Sequence, residues 1–304
     1  MNRPKPVFGF FGLETTHPET WVPPLRERGL PMVAYDEGEV TTPAYQRHFC
    51  ERYGVALCGS KEEFFERADV VAIMSANFDR HVPVAREALA LGKTVFLDKP
   101  VAAGDADLAE ILTWSGRKVV LGSSNRLDPR LLAWRASSGR VRSLCSSVGS
   151  DEPFSYAIHA VEMGQTVLGP GARAVRCVHE TPPVTFQVRH DSGACWFIEI
   201  MNPSRIFHVA LQSDTARETL VIPGGTFHGA MIDEVLRVNA GEAPLISPAE
   251  AVEAVRILRA GHASRQQGGA WVDLDGPLAG FSGCEYATQY RKRHETRLTT
   301  PGEG

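Results

Sequence analysis

Short apolar runs alternate with amphipathic segments over the first 122 residues of the chain. The runs "KPVFGFFGL", "LPMVAYD" and "DVVAIMS" have the continuous apolar character of strands that are buried on both faces. Segments with helical periodicity lie between such runs, for example "RHVPVAREALALG", which ends on a glycine. Because strand and helix units repeat with short joins, the pattern predicts an α/β architecture with a doubly wound parallel sheet, a Rossmann fold.

The second half of the chain has the periodicity of antiparallel strands. The stretch "VTFQVRHDSGACWFIEIMN" predicts a hairpin of two strands rich in β-branched and aromatic residues. A long amphipathic helix follows, and Ser247 and Glu250 have the spacing of a capping box at its start. This half is therefore predicted to be an α+β domain with a mostly antiparallel open sheet. The change of pattern divides the chain into domains 1–122 and 123–304.

Composition and charge exclude several classes of protein. The 304 residues carry a formal net charge of −4, and the dispersed Lys and Arg residues argue against nucleic acid as a partner. The N-terminal apolar run is too short for a secretory signal, and no run approaches a membrane span, which predicts a cytoplasmic protein without membrane association. Six cysteines are scattered without a C-x-x-C pair, which favours packed thiols over disulfides or a metal site. The polar tail "RKRHETRLTTPGEG" is expected to be frayed.

The stretch "GKTVFLDKPVA" ends an apolar run on a charged pair. Pro100 lacks the backbone N–H that a sheet requires, so the strand stops and leaves Asp98 and Lys99 at its carboxyl end. Open α/β sheets bind their ligands at the carboxyl ends of their strands. The pair is therefore a candidate for a functional site.

Four segments resemble, in order, the glucose-fructose oxidoreductase, inositol dehydrogenase and rhizopine catabolism (Gfo/Idh/MocA) family of nicotinamide enzymes. These segments are "DVVAIMSANFDRHVPVAREALALGKTVFLDKPVA", "LGSSNRLDP", "SYAIHAVEMGQTVLG" and "EAVEAVRILRAGHASRQQGGAWVDL". The family has a Glu-Lys-Pro triplet where this chain has Asp98 in place of the glutamate. The resemblance implies an NAD(P)-dependent oxidoreductase that transfers hydride between nicotinamide and a secondary alcohol or ketone of a sugar, cyclitol or related polyol. It also implies a dinucleotide-binding domain 1–122, a domain 123–304 for substrate binding and oligomerisation, and a homodimer or homotetramer.

The resemblance assigns catalytic roles to two residues. Lys99 is expected to reach the cofactor ribose and the substrate hydroxyl, where an ammonium stabilises a developing alkoxide. His159 matches the family's general base, and imidazole changes charge near neutral pH, as that task requires. Four residues before this histidine the family has an orienting aspartate, but this chain has Ser155. A hydroxyl can hydrogen-bond the ring without stabilising imidazolium by charge, so the base is expected to be weaker, or Asp151 substitutes.

The dinucleotide loop departs from the family's G-x-G-x-x-G pattern. Gly12 is present, but Glu14 and His17 occupy the second and third glycine positions. A carboxylate at position 14 would repel phosphate unless its side chain points away. Thr15 and Thr16, with backbone amides and a protonated His17, are expected to hold the phosphates instead. The loop resembles a "THPE" variant in a subset of the family, which favours a modified cofactor site over an inactive one.

Further polar residues are expected along the cofactor and substrate. Asp36 ends the second predicted strand and fits the ribose 2′-hydroxyl of NAD, so NAD is preferred over NADP, although the residue could be a plain turn aspartate. Ser75, Asn77 and His81 match the family's cofactor-lining run, and helix capping is the alternative for Asn77. The cofactor is also expected to meet Asp98. The residues expected at the substrate are Arg126, whose guanidinium suits a carboxylate or phosphate, Tyr156 and Asp151.

Two other functions stay open from the sequence. The altered glycine loop and Ser155 are compatible with a redox-neutral lyase or epimerase that retains bound NAD. They are also compatible with a catalytically silent binding protein of the same fold, because fold alone does not determine function.

Overall fold

The computed structural model describes residues 4–137, 139–150, 154–201 and 206–299. The strands are β1 Phe8–Phe11, β2 Met32–Tyr35, β3 Ala56–Leu57, β4 Val70–Ile73, β5 Thr94–Leu97, β6 Val119–Leu121, β7 Val141–Gly149, β8 Ala172–His179, β9 Val184–His190, β10 Cys195–Met201, β11 Phe207–Ser213, β12 Arg217–Ile222 and β13 Val272–Asp273. The helices are α1 His17–Glu27, α2 Pro43–Tyr53, α3 Lys61–Arg67, α4 His81–Ala90, α5 Asp105–Leu112, α6 Pro129–Ser137, α7 Ala157–Leu168, α8 His228–Asn239, α9 Pro248–Gln266, α10 Gly283–Arg293 and α11 Glu295–Thr299. Short 3-10 helices cover Phe78–Arg80 and Ser124–Leu127.

The chain forms two compact units. The first contains the residues up to Leu121, the segment His228–Ile246 and the residues from Phe281 onward, and the second contains Gly122–Phe227 and Ser247–Gly280. The division 1–122 and 123–304, drawn from the sequence pattern, assigns both later segments of the first unit to the second domain. A division at a single point of the chain cannot include later segments that return to the first unit.

Six parallel strands form the sheet of the first unit in the order β3-β2-β1-β4-β5-β6. Every residue of β1, β4 and β5 is buried, as expected for strands covered on both faces. The doubly wound Rossmann architecture predicted from the apolar runs is confirmed. The strand order reverses between β1 and β4, and in such sheets the ligand crevice lies at the carboxyl ends of the strands at this point.

Specific polar contacts anchor the returning helix α8 within the first unit. The Arg28 guanidinium forms two hydrogen bonds with Asp233, Nε to Oδ1 and Nη2 to Oδ2, each of 2.8 Å. At Asn239, the last residue of the helix, the side-chain oxygen accepts a hydrogen bond of 2.8 Å from the Thr94 hydroxyl. These contacts join residues more than a hundred positions apart.

Seven strands form the sheet of the second unit in the order β12-β11-β7-β10-β9-β8-β13. Only β7 and β10 are parallel, so the sheet is mostly antiparallel as predicted, and β9 and β10 form the predicted hairpin. Helix α7 packs against β7 and β10, and α9 packs against β8. The predicted capping box at the start of α9 is present, because Ser247 and Glu250 each bond the other's backbone N–H.

Close packing positions helix α7, which carries His159. Its residues from Ala157 to Val167 are all buried. A Cβ added at Gly164 would lie 2.6 Å from Cε2 of Trp196 on β10, so only glycine allows this approach of helix and strand. Within the described ranges, no helix has the length and apolar character needed to cross a membrane.

Replacing Gly164 by alanine is expected to lower the free energy of unfolding by about 1–3 kcal/mol, because the new methyl group would overlap the Trp196 ring. Chemical denaturation followed by circular dichroism measures this change. Gly104→Ala is the control, since its methyl group would meet no atom within 4 Å, and a smaller loss is expected there. A Gly164→Ala variant as stable as the parent would contradict the packing of α7 on β10.

Candidate active site

A buried carboxylate organises the carboxyl end of β5. Asp98 is 5% exposed, and its Oδ2 accepts a hydrogen bond of 2.7 Å from Nδ1 of His17, the first residue of α1. The Lys99 ammonium lies 4.0 Å from the same oxygen, and its side chain is 11% exposed. Asp98 therefore joins the end of β5 to the start of α1 and brings the side chains of His17 and Lys99 to one carboxylate oxygen.

The charges of this cluster favour an ionised Asp98. Burial opposes ionisation, but the charges of His17 and Lys99 outweigh it and hold the pKa of the Asp98 carboxyl well below its ordinary value. His228, the first residue of α8, packs its ring edge-on at 5.5 Å from the His17 ring. Burial, reinforced by the charge of His17, lowers the pKa of His228 to about 4, so this ring is neutral near pH 7.

Gly12 allows the loop after β1 to touch the loop after β4. Its φ of +87° is in the region that favours glycine, and an added Cβ would lie 2.8 Å from Cα of Ser75. On the same loop, the Thr15 hydroxyl donates to the carbonyl of Met74 at 3.2 Å. Thr16 is exposed at the start of α1 and makes no side-chain cap hydrogen bond.

Glu14 turns its side chain into the junction of β1 and β4. Its Oε1 accepts hydrogen bonds from the Ser75 hydroxyl at 3.0 Å and from the Ala76 backbone N–H at 2.6 Å. Burial, followed by the charge of Asp36, raises the pKa of the Glu14 carboxyl to about 8. The group is thus mostly protonated near pH 7, and this neutral form lacks the charge that would repel phosphate.

Asp36 ties two loops together at the end of β2. Its Oδ2 accepts the backbone N–H of Leu13 at 2.8 Å, and its Oδ1 accepts the N–H of Gly38 at 2.7 Å and the hydroxyl of Thr41 at 2.8 Å. Both oxygens therefore already have protein donors, and the contact with Gly38 is that of a turn aspartate. The contact with a ribose hydroxyl stays a prediction.

The predicted cofactor-lining residues after β4 make mainly internal contacts. Asn77 Oδ1 accepts the N–H of Asp79 at 3.1 Å, which is the capping role that the sequence left open, and Nδ2 donates to Glu39 at 2.6 Å. The two ring nitrogens of His81 face the carbonyls of Pro100 at 3.0 Å and Ser75 at 2.9 Å. Burial lowers the pKa of His81. The ring is held between these two carbonyls and supports the loop after β4.

His159 in the second unit is oriented by Ser123. Its Nδ1 lies 2.6 Å from the Ser123 hydroxyl, and the rings of Tyr156 and Phe207 pack edge-on at 5.4 and 5.1 Å. The hydroxyl of Ser155 is buried and has no hydrogen-bond partner within the described residues, so it does not hydrogen-bond the ring there. The reason is that α7 begins at Ala157, so Ser155 lies outside the helix that would align it with His159. Asp151 lies outside the described residues.

Arg126 forms a buried hydrogen-bond network with side chains of α7. Its Nε donates to Glu162 at 2.9 Å, and its Nη2 donates to Gln165 at 2.6 Å. Nη1 is buried without a partner among the residues that the structure describes. Glu162 also accepts the N–H of Ser123 at 2.6 Å, so it fixes the segment that orients His159.

The sequence contained partial signals for the residues that were missed. Glu162 is three positions after His159, a spacing that puts both on one helix face. Ser123 lies within the family-like stretch "LGSSNRLDP". Nothing in the sequence indicated that His228 would lie beside His17. No group of three or more His, Cys, Asp or Glu side chains in the described ranges could hold a metal ion.

A sequence model of the Gfo/Idh/MocA family, described as an oxidoreductase family with an NAD-binding Rossmann fold, matches residues 40–121. The resemblance inferred from the sequence is confirmed, and the expectation of NAD is confirmed at the level of that family. A comparison with curated proteins finds no match.

Solved structures share the fold over nearly the whole chain. A myo-inositol dehydrogenase from Corynebacterium glutamicum has a TM-score of 0.75 at 14% identity and covers 90% of this chain and 100% of its own. GenD2 from gentamicin A biosynthesis, crystallised with NAD, has a TM-score of 0.74 at 16% identity, with 91% and 98% covered. The WlbA dehydrogenase from Bordetella pertussis, crystallised with NADH and UDP-GlcNAcA, has a TM-score of 0.71 at 15% identity, with 91% and 100% covered. At these identities the likeness shows a common fold.

The buried carboxyl of Glu14 is expected to make stability depend on pH. Its pKa is about 8 in the folded protein against an ordinary 4.5, so between these values the folded state holds a proton that the unfolded state has lost. Its contribution is therefore fully present below pH 4.5 and is lost as pH rises through 8. A glutamine at position 14 does not titrate, so the Glu14→Gln variant does not lose this contribution. Its free energy of unfolding minus that of the parent should therefore increase between pH 4.5 and pH 8 by on the order of a few kcal/mol.

Urea denaturation near pH 4.5 and near pH 8 measures the difference. Glu66→Gln, which changes an exposed residue of α3, is the control and should show no such trend. A Glu14→Gln effect that is the same at both pH values would contradict the burial of a protonated carboxyl.

Proposed function

We propose that the protein is an NAD-dependent oxidoreductase that transfers hydride between nicotinamide and a secondary alcohol or ketone of a sugar, cyclitol or related polyol. The observation that carries this proposal is the Lys99 ammonium beside the buried carboxylate of Asp98 at the carboxyl end of β5. Parallel α/β sheets bind ligands at this edge, and a cation there suits an oxygen that gains negative charge.

The residues of the first unit fit a dinucleotide. Gly12 leaves no room for a side chain beside Ser75, so backbone lines the crevice where a pyrophosphate approaches. His17 and Lys99 would supply positive charge, and Asp36 would meet the adenosine ribose. This carboxylate would repel the 2′-phosphate of NADP, which supports NAD. When bound, NAD supplies the nicotinamide carbon that accepts or donates the hydride.

Lys99 would polarise the reacting oxygen. In the direction of oxidation its ammonium stabilises the alkoxide that forms as the hydroxyl proton leaves. The Asp98 carboxylate, 4.0 Å away, attracts this ammonium and restrains its position. His17 shares the same carboxylate oxygen and keeps it oriented, because the 2.7 Å hydrogen bond restricts its rotation.

His159 would take the proton from the substrate hydroxyl or return it to the ketone. Ser123 contacts Nδ1 and orients the ring, and the proposed transfer uses Nε2. The relatives support the substrate class: one similar structure is a myo-inositol dehydrogenase, and another was crystallised with a nucleotide sugar. A homodimer or homotetramer remains the expected assembly.

Separate Lys99→Ala and His159→Ala variants test this function. With NAD and a panel of cyclitols, polyols and nucleotide sugars, each variant is expected to lose about 10²–10⁴-fold in kcat, measured as NADH absorbance. Lys93→Ala, at the opposite end of β5, and His179→Ala, on an exposed position, are the matched controls. Near-normal turnover in both catalytic variants would end the assignment.

A redox-neutral lyase or epimerase that retains NAD is the second candidate. It is favoured by the neutral hydroxyl of Ser123 next to His159, which cannot stabilise imidazolium by charge. NAD that stays bound through purification, with substrate turnover but without net NADH, would distinguish it from the dehydrogenase.

A further inference from the structure

The chain continues past the last family-like stretch, which ends at Leu274, into two helices of the first unit. Residues from Arg291 onward were expected to be frayed, but α10 and α11 are helical up to Thr299. We refer to residues 283–299 as the C-terminal strap. The ring of Tyr286 in the strap packs between two others. Its centroid lies 5.5 Å from that of Phe78, outside the strap, and 6.0 Å from that of Tyr290.

One end of the strap is seated on the loop after β4. An added Cβ at Gly283 would lie 2.7 Å from Oδ1 of Asn77 and from the backbone nitrogen of Phe78, so the backbone of α10 is in direct contact with this loop. The Cys284 backbone N–H donates to Asp79 Oδ2 at 3.0 Å, which fixes the start of the helix.

The other end of the strap is latched to the loop after β1 by Arg297. Its Nη2 donates to the backbone carbonyl of Glu14, and its Nη1 donates to Glu19 of α1 at 3.2 Å. The same guanidinium contacts the hydroxyls of Tyr290 at 3.0 Å and Tyr45 at 3.3 Å. One side chain thus connects the strap to the loop after β1, to α1 and to α2.

These two attachments lie on either side of the reversal in strand order. The loops after β1 and β4 border the crevice in which a doubly wound sheet receives its ligand, with phosphate at the start of α1. Two further contacts cross from the loop after β2 to that after β4: Arg80 pairs with Glu37 at 2.5 and 2.8 Å, and Asn77 donates to Glu39 at 2.6 Å. The chain's own groups therefore span the path that a dinucleotide would follow.

We propose that the C-terminal strap is an autoinhibitory element that competes with the dinucleotide for this crevice, with Arg297 as its latch. Entry of the cofactor requires Arg297 to release the Glu14 carbonyl and Glu19. The apparent dissociation constant for NAD is then the intrinsic constant divided by the fraction of molecules in which the strap is open. This inference rests on the proposed use of NAD.

Calorimetric titration of the full chain with NAD tests the inference. Arg297→Ala is expected to bind NAD about tenfold more tightly than the parent, if about a tenth of parent molecules are open. Glu19→Gln removes only the charge that Arg297 meets on α1, and a smaller gain in the same direction is expected. Lys292→Ala, an exposed change on α10, is the matched control and should leave the affinity unchanged.

Hydrogen exchange gives a readout that does not depend on turnover. Adding saturating NAD to the parent protein should increase amide exchange in residues 283–299, whereas a strap that merely packs beside the cofactor would become more protected.

Equal affinity in parent, Arg297→Ala and Glu19→Gln would overturn the strap proposal and leave the proposed function intact. Weaker binding by Arg297→Ala would also overturn it, because the arginine would then hold the cofactor. Failure of all four proteins to bind NAD would overturn both proposals.

Discussion

The buried carboxylate of Asp98 is the interaction on which the candidate site depends. A single oxygen contacts both the imidazole of His17 and the ammonium of Lys99, and these two side chains follow different strands, β1 and β5, at the same edge of the parallel sheet. Burial alone would favour a neutral acid, so the two cations are what keep the group ionised. In return, the anion orients both cations at the edge where a ligand binds.

The loop after β1 has Glu14 at a position where the dinucleotide-loop pattern has glycine. The carboxyl group of Glu14 is buried at the junction of β1 and β4. It accepts hydrogen bonds there from the Ser75 hydroxyl and the Ala76 backbone N–H. Asp36 supplies the compensating acceptors for the neighbouring backbone, including the N–H of Leu13. The charge of Asp36 adds to burial in raising the pKa of the Glu14 carboxyl.

The sequence predicted those parts of the fold that local patterns determine. Buried runs such as Val70–Ile73 identified the parallel strands, and the spacing of Ser247 and Glu250 identified the start of α9, because these signals lie within a few residues of each other. Lys99 and His159 were assigned to the candidate site from the family resemblance, and their roles stay predictions. Contacts between distant residues were not predicted, because Ser123 lies 36 positions from His159 and Arg297 lies 283 from Glu14. Long-range contacts of this kind depend on how the elements pack, and no short pattern encodes them.

The most direct test of the account is a crystal structure of the protein with NAD bound. The account predicts the dinucleotide along the carboxyl ends of the parallel strands, with the Lys99 amine at hydrogen-bonding distance, about 3 Å, from the nicotinamide ribose. Asp98 should still contact both His17 and Lys99 in that complex. A dinucleotide bound elsewhere, or a Lys99 amine that faces bulk water far from the nicotinamide ring, would contradict it.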